Sequence, residues 1–395
     1  RQMCIRDRVR IAVRSTRLLR VSYARLRERG LLPDVPIQES EVRLYQRRYD
    51  PAVDDGSGNP PWLEIEVPIH MVGEGDAFDG DDFFVFYGLR LRDDTDYQGD
   101  LGDGPRTIPG CGDNGEWAND ANIYWFAPAA PAAGEAWARM ATTTLPAAVG
   151  TPLQNYRRTD HFEEQLILRE NVASTLNDRL YQNIHFDSSV SVNFSGQWAP
   201  DPTGAAARIE VAAAAYANAP PSIVRRVRFD LTVDDTPTQL GVVDLRYVND
   251  TVYGWDVPAA TLDGAFAKVT MTKIEPVGAL FSFVNWARVT YDAQYRATGQ
   301  SGGSRNQSFH TGDQAGPRPI EVTGFNDGNL GLVEITDPRR PVWIALAAEN
   351  VAAEAGGATL SIMPTQAAAD QPRRFWATDA FAADGVGEFA YYESS

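Results

Sequence analysis

The chain has 395 residues, of which 43% are hydrophobic and 10% aromatic, and this is the composition of a globular protein large enough for more than one buried core. Its 53 acidic and 36 basic residues give a net charge of −17 and a pI near 4.7. Nucleic acid and anionic membranes are excluded as main partners because both would be repelled. The longest nearly apolar stretch, 211–219, is half of the roughly 20 residues that a bilayer crossing needs, so no transmembrane segment is predicted.

The first eight residues are predicted to be foreign to the protein. Residues 1–8 can be back-translated as the end of a transposon-type sequencing adapter, and a scar of that kind is excluded from fold reasoning. The two cysteines, Cys4 and Cys111, are too few for a disulfide framework or a four-ligand zinc site. Cys111 lies between glycines with no histidine beside it, which favours an inert loop thiol over a nucleophile.

Residues 9–135 are predicted to form an antiparallel N-terminal β domain with one short helix. Ser22 is placed to cap that helix, which should end at Gly30. The apolar run 82–88 is bounded by turn residues and is typical of a core strand buried on both faces. The strands predicted in this domain are 9–13, 18–21, 42–45, 63–69, 82–88 and 122–126.

An Ala- and Pro-rich linker is predicted over 136–155, followed by a jelly-roll-like β-sandwich over 156–298. Within the sandwich, 160–171 fits either a helix or a strand. The final part, 299–395, begins with a polar stretch and is predicted to be a short β segment that packs with 9–135, because it is too short for a comfortable core of its own. The fold class is therefore mainly β. The strands predicted in these two parts are 190–194, 207–216, 224–233, 240–248, 253–257, 267–274, 281–291, 320–325, 330–335, 342–348 and 358–363.

The histidines do not indicate a metal or catalytic site. None of His70, His161, His185 and His310 lies in a metal-ligand spacing, and no nucleophile elbow, P-loop or dinucleotide fingerprint occurs. His70 and His185 fall in strand-like sequence and are interpreted as partly buried, whereas His161 and His310 are interpreted as exposed loop residues. The sequence therefore assigns no catalytic, cofactor-binding or metal-binding residue.

Calcium is the one cofactor for which the sequence offers a candidate set of ligands. Two groups of carboxylates lie in Gly-containing loops and supply the hard oxygen donors that calcium prefers, although neither has the spacing of an EF-hand. Acidic solvated turns on a chain of net charge −17 are the favoured interpretation. The groups are Asp76, Asp79, Asp81 and Asp82, and Asp93, Asp94, Asp96, Asp100 and Asp103.

Three tryptophans of the predicted sandwich, Trp198, Trp255 and Trp286, leave two interpretations open. Exposed indole rings could form a platform that stacks on sugars, but burial in the sandwich core is the favoured alternative.

Eight short motifs occur in a recognisable order, and together they span most of the chain between residues 9 and 363. They are VSYARLRERGL (21–31), VRLY (42–45), EVPI (66–69), DFFVFYG (82–88), NIYW (122–125), NWARVTYDAQYR (285–296), VTGF (322–325) and ITDPRRP (335–341). The first five resemble the region that precedes the catalytic domain in gingipain-type cysteine peptidases, and the last three are similar to the end of the sandwich and the connector that follow in that family.

The resemblance implies a secreted or cell-surface bacterial protein whose catalytic α/β domain, with its His and Cys, lies beyond Ser395. None of the family's catalytic motifs matches a residue of this chain, so none is carried over. The implied partners are that downstream domain of the same polypeptide and a cell-surface or secretion partner. The alternative is an independent extracellular binding module, for example a carbohydrate-binding one. A third possibility, that the chain is itself a thiol-dependent hydrolase, would require Cys111.

Overall fold

The computed structural model of the chain is mainly β, which confirms the fold class predicted from the sequence. Its described residues contain 29 strands and one α-helix. The structure describes residues 9–13, 16–32, 35–49, 62–89, 122–162, 167–168, 180–181, 183–185, 189–194, 198–216, 225–245, 251–275, 281–299, 305–379 and 389–391.

The chain divides into two compact units. Among the described residues, the first unit takes 9–89, 122–151 and 305–391, and the second takes 152–299. The chain thus leaves the first unit, forms the second, and then returns to the first.

The elements follow one another along the chain as short strands joined by turns. The opening part of the first unit contains β1 (Val9–Val13), β2 (Arg17–Ser22), α1 (Tyr23–Glu28), a 3-10 turn (Glu39–Glu41), β3 (Val42–Tyr49), β4 (Trp62–Glu66), β5 (His70–Val72), β6 (Phe83–Gly88), β7 (Asn122–Pro128) and β8 (Ala141–Thr143).

The second unit consists almost entirely of strands. They are β9 (Asn155–Phe162), β10 (Ile167–Leu168), β11 (Leu180–Tyr181), β12 (Asn183–His185), β13 (Ser189–Phe194), β14 (Ala207–Tyr216), β15 (Arg225–Val233), β16 (Thr236–Leu245), β17 (Thr251–Val257), β18 (Ala267–Glu275) and β19 (Phe281–Gln294), with a 3-10 turn (Ala259–Leu262) between β17 and β18.

The closing part of the first unit is also built from strands. They are β20 (Asn306–His310), β21 (Gly316–Pro317), β22 (Ile320–Phe325), β23 (Gly331–Glu334), β24 (Val342–Ile344), β25 (Val351–Glu354), β26 (Gly357–Ile362), β27 (Thr365–Gln366), β28 (Arg374–Thr378) and β29 (Phe389–Tyr391), with a 3-10 turn (Ala348–Asn350) before β25.

Helix α1 begins directly after Ser22, as the sequence predicts, and its last residue is Glu28, shortly before the predicted end at Gly30. The hydroxyl of Ser22 accepts a hydrogen bond from the backbone N–H of Arg25 at 3.2 Å, which satisfies one of the donors that the first turn of a helix leaves unpaired. Gly30 follows the last turn with a φ of 66°, a left-handed conformation that glycine adopts at little cost. Both signals are therefore confirmed.

The first unit joins strands from both of its chain segments. Its sheets have the strand orders β29-β1-β7-β3-β4, β2-β6-β5, β20-β28-β23-β24-β8, β21-β27 and β22-β26-β25. Strand β8 pairs in parallel with β24, and the paired residues Ala141 and Val342 are about 200 positions apart in the sequence. Strand β29 pairs with β1. The opening and closing parts of the chain therefore share two of these sheets.

Strand β6 is buried on both faces, as its apolar run predicts. Phe84 and Phe86 point into one core cluster, whose centre includes Phe126 at 5.8 Å from the ring of Phe84. Val85 and Tyr87 point the other way into a second cluster, where Tyr87 lies 6.0 Å from Trp376. One strand thus anchors two cores, because successive side chains of a strand point to opposite faces.

The second unit is a β-sandwich of two antiparallel sheets. In one, β19 pairs on one side with β14, which in turn pairs with β17, and on its other side with β12 and β9; the other sheet has the order β13-β18-β15-β16. Aromatic rings connect the two sheets: Phe229 lies 5.1 Å from Trp255, and Phe194 lies 4.8 Å from Phe162. The sandwich core therefore lies between the sheets, with alternate residues of each strand facing it.

Strands β15 and β16 are joined by the two-residue turn Asp234–Asp235, whose φ angles of 42° and 66° are left-handed. This is the turn of a tight hairpin, in which such angles are required. Asp234 has a further role, since its carboxylate accepts hydrogen bonds from the backbone N–H groups of Ala265 and Phe266 at about 3.0 Å.

Substitution of Asp234 and of Asp235 by glycine is expected to change the free energy of unfolding in opposite directions. Asp235→Gly should raise the free energy of unfolding by about 0.5 kcal/mol, because it relieves the left-handed backbone at the cost of a more flexible unfolded chain. Asp234→Gly should lower it by about 1 kcal/mol, because two backbone donors lose their acceptor. Urea unfolding of both variants checks this, and a change of the same sign in the two would contradict it.

His70 is held in an aromatic stack inside the first unit. Its ring lies 4.3 Å from that of Trp343 with an interplanar angle of 10°. His70 is paired with Val85 of β6, and Val85 is paired in turn with Arg20 of β2. Arg20 is therefore the charged residue on the same face of this sheet as His70. Burial lowers the pKa of His70.

The stability of the first unit is expected to fall as the pH drops below about 6.5, the ordinary pKa of histidine. Above that pH, His70 is neutral in both states and adds no pH dependence. Below it, the unfolded chain binds a proton that the folded chain resists until its lowered pKa is reached, so the free energy of unfolding decreases. His70→Phe keeps a ring for the stack and removes this effect. Urea unfolding between about pH 7 and pH 5 should give a smaller loss in the variant, and an equal loss would refute the assignment.

Candidate functional site

The sheet that contains β19 presents an outward face rich in aromatic and charged side chains. Along β19, Ala287, Val289 and Tyr291 are buried, so Trp286 and Arg288 lie on the opposite, outward face. Of the three tryptophans singled out by the sequence, Trp286 is the one that lies on the outward face of its sheet.

The register of four strands brings residues from distant parts of the sequence into rows on this face. Arg288 is directly opposite Glu210 of β14 on one side and His161 of β9 on the other. One row further along, Arg208 of β14 is opposite Asp256 of β17. The Trp286 face is defined by His161, Arg208, Glu210, Asp256, Trp286 and Arg288.

Trp286 is fixed by its two polar neighbours. The His161 ring lies 5.2 Å from the indole at 40°, and the guanidinium carbon of Arg288 lies 5.3 Å from it, within cation–π range. Arg288 is fixed in turn by Glu210, whose Oε2 accepts from Nε at 2.8 Å and lies 2.7 Å from Nη2. A tryptophan held in this way has little conformational freedom to lose when a ligand binds.

The second ion pair of the face lies beside a glycine. Arg208 Nη1 donates to Asp256 Oδ2 at 3.2 Å. The guanidinium of Arg208 lies over Gly254, at the place where any larger residue would put its Cβ. The glycine therefore lets Arg208 lie close against the sheet.

The other two tryptophans belong to the interior, which is the interpretation that the sequence favours. Trp198 is buried, with its ring 5.0 Å from Tyr291. Trp255 packs on the buried ring of Phe229. Trp255 and Trp286 are both partly buried, and of the three tryptophans Trp286 is the one on the outward face.

The opposite side of β9 carries a buried polar network. The side chains of Arg158 and Asp160 are 14% and 19% exposed, and Arg158 Nε donates to both carboxylate oxygens at 2.8 and 2.9 Å. Tyr291 donates its hydroxyl to Asp160 Oδ2 at 2.8 Å. Burial opposes the charge of Arg158, but Asp160 outweighs it and raises the pKa of Arg158. Burial, reinforced by the negative charge of Asp160, raises the pKa of Tyr291.

The structure places the four histidines in separate strands. His70 lies in β5 and is partly buried, as predicted, and His185 lies in β12. His161 is exposed but lies in β9, and His310 is the last residue of β20, where its Nδ1 accepts from the N–H of Gly312 at 3.1 Å. The prediction that these two occupy loops is wrong, because β9 and β20 are defined by their pairing partners and not by an apolar pattern of their own.

The carboxylates considered for calcium do not converge in the part of the chain that is described. Asp82 Oδ2 accepts from the N–H of Asp79 at 2.9 Å and closes a turn. No group of three or more His, Cys, Asp or Glu side chains suited to a metal occurs in the described ranges. The group from Asp93 to Asp103, like Cys4 and Cys111, lies outside them.

The sequence does not single out Arg288, Glu210, Arg208 or Asp256, which the structure brings together around Trp286. A partial signal was present, because the period of two along 286–290 places Trp286 and Arg288 on one face. Their partners depend on strand register.

Helix α1 is six residues long, and within the described ranges no helix has the length and apolar composition of a membrane span.

No protein-family model matches the chain, and no curated protein matches it. Among solved structures, in contrast, there are matches in fold. The crystal structure of dimeric latent PorU from Porphyromonas gingivalis matches 98% of this chain and 33% of its own, with a TM-score of 0.58 at 11% identity. The C-terminal CBM6 of LamC, a marine laminarinase from Zobellia galactanivorans, matches 34% of this chain and 99% of its own, with a TM-score of 0.20 at 15% identity.

The similarity to PorU is one of fold, and this chain spans about a third of the PorU chain. A TM-score of 0.20 does not establish a shared fold with the LamC module. Membership of the gingipain-type family stays a prediction.

Proposed function

We propose that this chain is the non-catalytic N-terminal portion of a secreted gingipain-like cysteine peptidase or surface transpeptidase, and that it supports or presents a catalytic domain that follows it. The observation that carries the proposal is the similarity of fold to PorU over 98% of this chain. Because the match takes up 33% of PorU, a protein of the same organisation would have room for a further domain.

The residues that resemble the gingipain-type sequences support the same proposal. Those of the first five motifs supply structural elements of the first unit: Ser22 caps α1, and the ring of Phe86 in β6 lies 5.0 Å from that of Tyr124 in β7. The order of these motifs is therefore the order of core elements, which is what two chains with a common architecture would share. The secreted or cell-surface location belongs to the proposal on the same ground.

The proposal assigns no bond-making step to this chain. Of the described histidines, His70 is engaged in a stack with Trp343, and His310 accepts a backbone N–H. Catalysis is therefore assigned to the domain that follows, and this chain to its support.

Two measurements test the proposal. The nucleotide sequence downstream of Ser395 should continue in frame into an α/β domain with a catalytic His and Cys, whereas a stop codon shortly after Ser395 would favour the independent binding module. The purified chain alone should show no thiol-dependent peptide hydrolysis. Hydrolysis that is lost in Cys111→Ala would overturn the proposal and make the chain itself the enzyme.

If the downstream domain exists, it should associate with this chain when the two are expressed as separate polypeptides. Co-purification of the catalytic domain is expected for a supporting role, with an unrelated β-sandwich as the control bait. Failure to co-purify, together with full activity of the catalytic domain on its own, would remove the supporting role.

A further inference from the structure

We propose that the Trp286 face is a binding site for a neutral saccharide. This inference holds whether the chain supports a catalytic domain or is an independent module, since it rests only on the second unit. The occupant is a pyranose ring that stacks on Trp286 and whose hydroxyl groups bond to the ion pairs beside it.

Trp286 offers a surface on which a sugar ring can stack. A pyranose offers a weakly polar face of C–H groups, for which a flat, partly exposed indole is a suitable surface. Trp286 lies in β19 directly beside a register shift against β14 and is held by His161 and Arg288, so the ring is oriented before the ligand arrives. Trp198, in contrast, is buried against Tyr291, and the partly buried Trp255 faces Phe229 of the opposite sheet.

The Trp286 face presents both hydrogen-bond donors and hydrogen-bond acceptors. Sugar hydroxyls both donate and accept, so a site for them needs both kinds of group within reach. Arg288 uses Nε and Nη2 on a single oxygen of Glu210. Among the contacts between described residues, Nη1 of Arg288 and Oε1 of Glu210 make no further hydrogen bond. A donor and an acceptor are therefore presented side by side, next to the ring.

The ion pairs of the Trp286 face balance one another in charge. Two arginines, Arg208 and Arg288, are matched by two carboxylates, Glu210 and Asp256, so these pairs cancel. The chain as a whole carries −17, which disfavours a polyanionic glycan. An uncharged saccharide is the ligand that matches both facts.

The closeness of Arg208 to the sheet extends the site away from Trp286. Because Gly254 has no side chain, the guanidinium of Arg208 lies close against the sheet, over the residue paired with Glu210, and its side chain stays 41% exposed. The site is thus a shallow surface, suited to several units of an oligosaccharide and not to a single small molecule held in a cavity.

The test is calorimetric titration of the purified chain with neutral hexaoses of glucose and mannose in different linkages, and with oligogalacturonate as the anionic comparison. At least one neutral hexaose should bind, and Trp286→Ala should weaken that binding by about tenfold or more, ~1.4 kcal/mol. Trp286→Phe should retain part of it, because a ring remains. Arg288→Met should weaken it without loss of the ring.

The matched control is Trp125→Ala. Trp125 also lies on a sheet face with an arginine over its ring, Arg47 at 5.5 Å, but in the first unit. Its removal should leave the affinity unchanged. Unaltered far-UV circular dichroism and unfolding midpoints distinguish loss of binding from loss of folding.

Three results would overturn the proposal. They are absence of binding to every neutral hexaose at millimolar concentration, equal affinity in a folded Trp286→Ala variant, and a preference for oligogalacturonate. None of these results bears on whether the chain supports a downstream domain, because that role is tested separately by co-purification of the two polypeptides.

Discussion

Asp160→Asn is expected to lower the free energy of unfolding of the second unit by about 3 kcal/mol, because removing one partner of a buried ion pair leaves the other charge uncompensated. Asparagine has nearly the shape of aspartate and can still accept the hydroxyl of Tyr291, so the loss reports the charge of Arg158 and not packing. Urea unfolding measures the effect, and amide hydrogen exchange in β9 and β19 assigns it to the second unit.

Thr159→Val is the matched control, on the same strand. Thr159 is exposed and its hydroxyl lies 2.9 Å from that of Thr290, so its loss should cost about 0.5 kcal/mol or less. The double variant Arg158→Met, Asp160→Leu should recover most of the loss, since an apolar pair can replace a buried ion pair. If Asp160→Asn were as stable as wild type, the network would be too well hydrated to matter.

Phe84→Ala should destabilise the first unit by about 4 kcal/mol, through lost burial and the cavity left behind. The ring is fully buried and lies 6.2 Å from Phe78, 6.4 Å from Phe86 and 5.8 Å from Phe126. Repacking of these neighbours cannot fill the space of a benzyl group, because protein interiors are close-packed.

Phe266→Ala makes the same chemical change at a side chain that is 41% exposed, and it should cost less than about 1 kcal/mol. Thermal and urea unfolding of the two variants give the comparison. Equal losses at Phe84, in the first unit, and at Phe266, in the second, would show that burial does not determine the cost of removing a phenylalanine ring.

Local sequence signals predicted the elements that depend on their own residues. Ser22 and Gly30 mark the two ends of α1, and the run ending at Gly88 gives the doubly buried strand β6. Both are set by short-range physics: a side-chain cap, a left-handed glycine and an apolar run bounded by turns.

Strands β20 and β28 escaped prediction. In β20, Asn306–His310, buried and partly buried residues alternate, but the sequence is mostly polar. Gln307 occupies a buried position and gives no apolar signal. In β28, Phe375, Trp376 and Ala377 make a run too short to separate from a loop. The two strands form by pairing with each other, so neither pattern alone specifies them.

The Trp286 face shows the same division. The alternation along β19 placed Trp286 and Arg288 on one face, but nothing in the sequence favoured the exposed face over the core. The pairing of β19 with β14 and β9 decided which face is outward and placed Glu210 and His161 opposite Arg288.

By itself, the sequence determined the mainly β class, the capped helix and most strands, because each follows from residues within a few positions of one another. Only the tertiary structure decided that Ala141 pairs with Val342, that Asp160 and Arg158 are buried, and that Trp286 faces outward. The physical reason is that strand pairing joins residues up to about 200 positions apart, and its energy belongs to the pair and not to either segment.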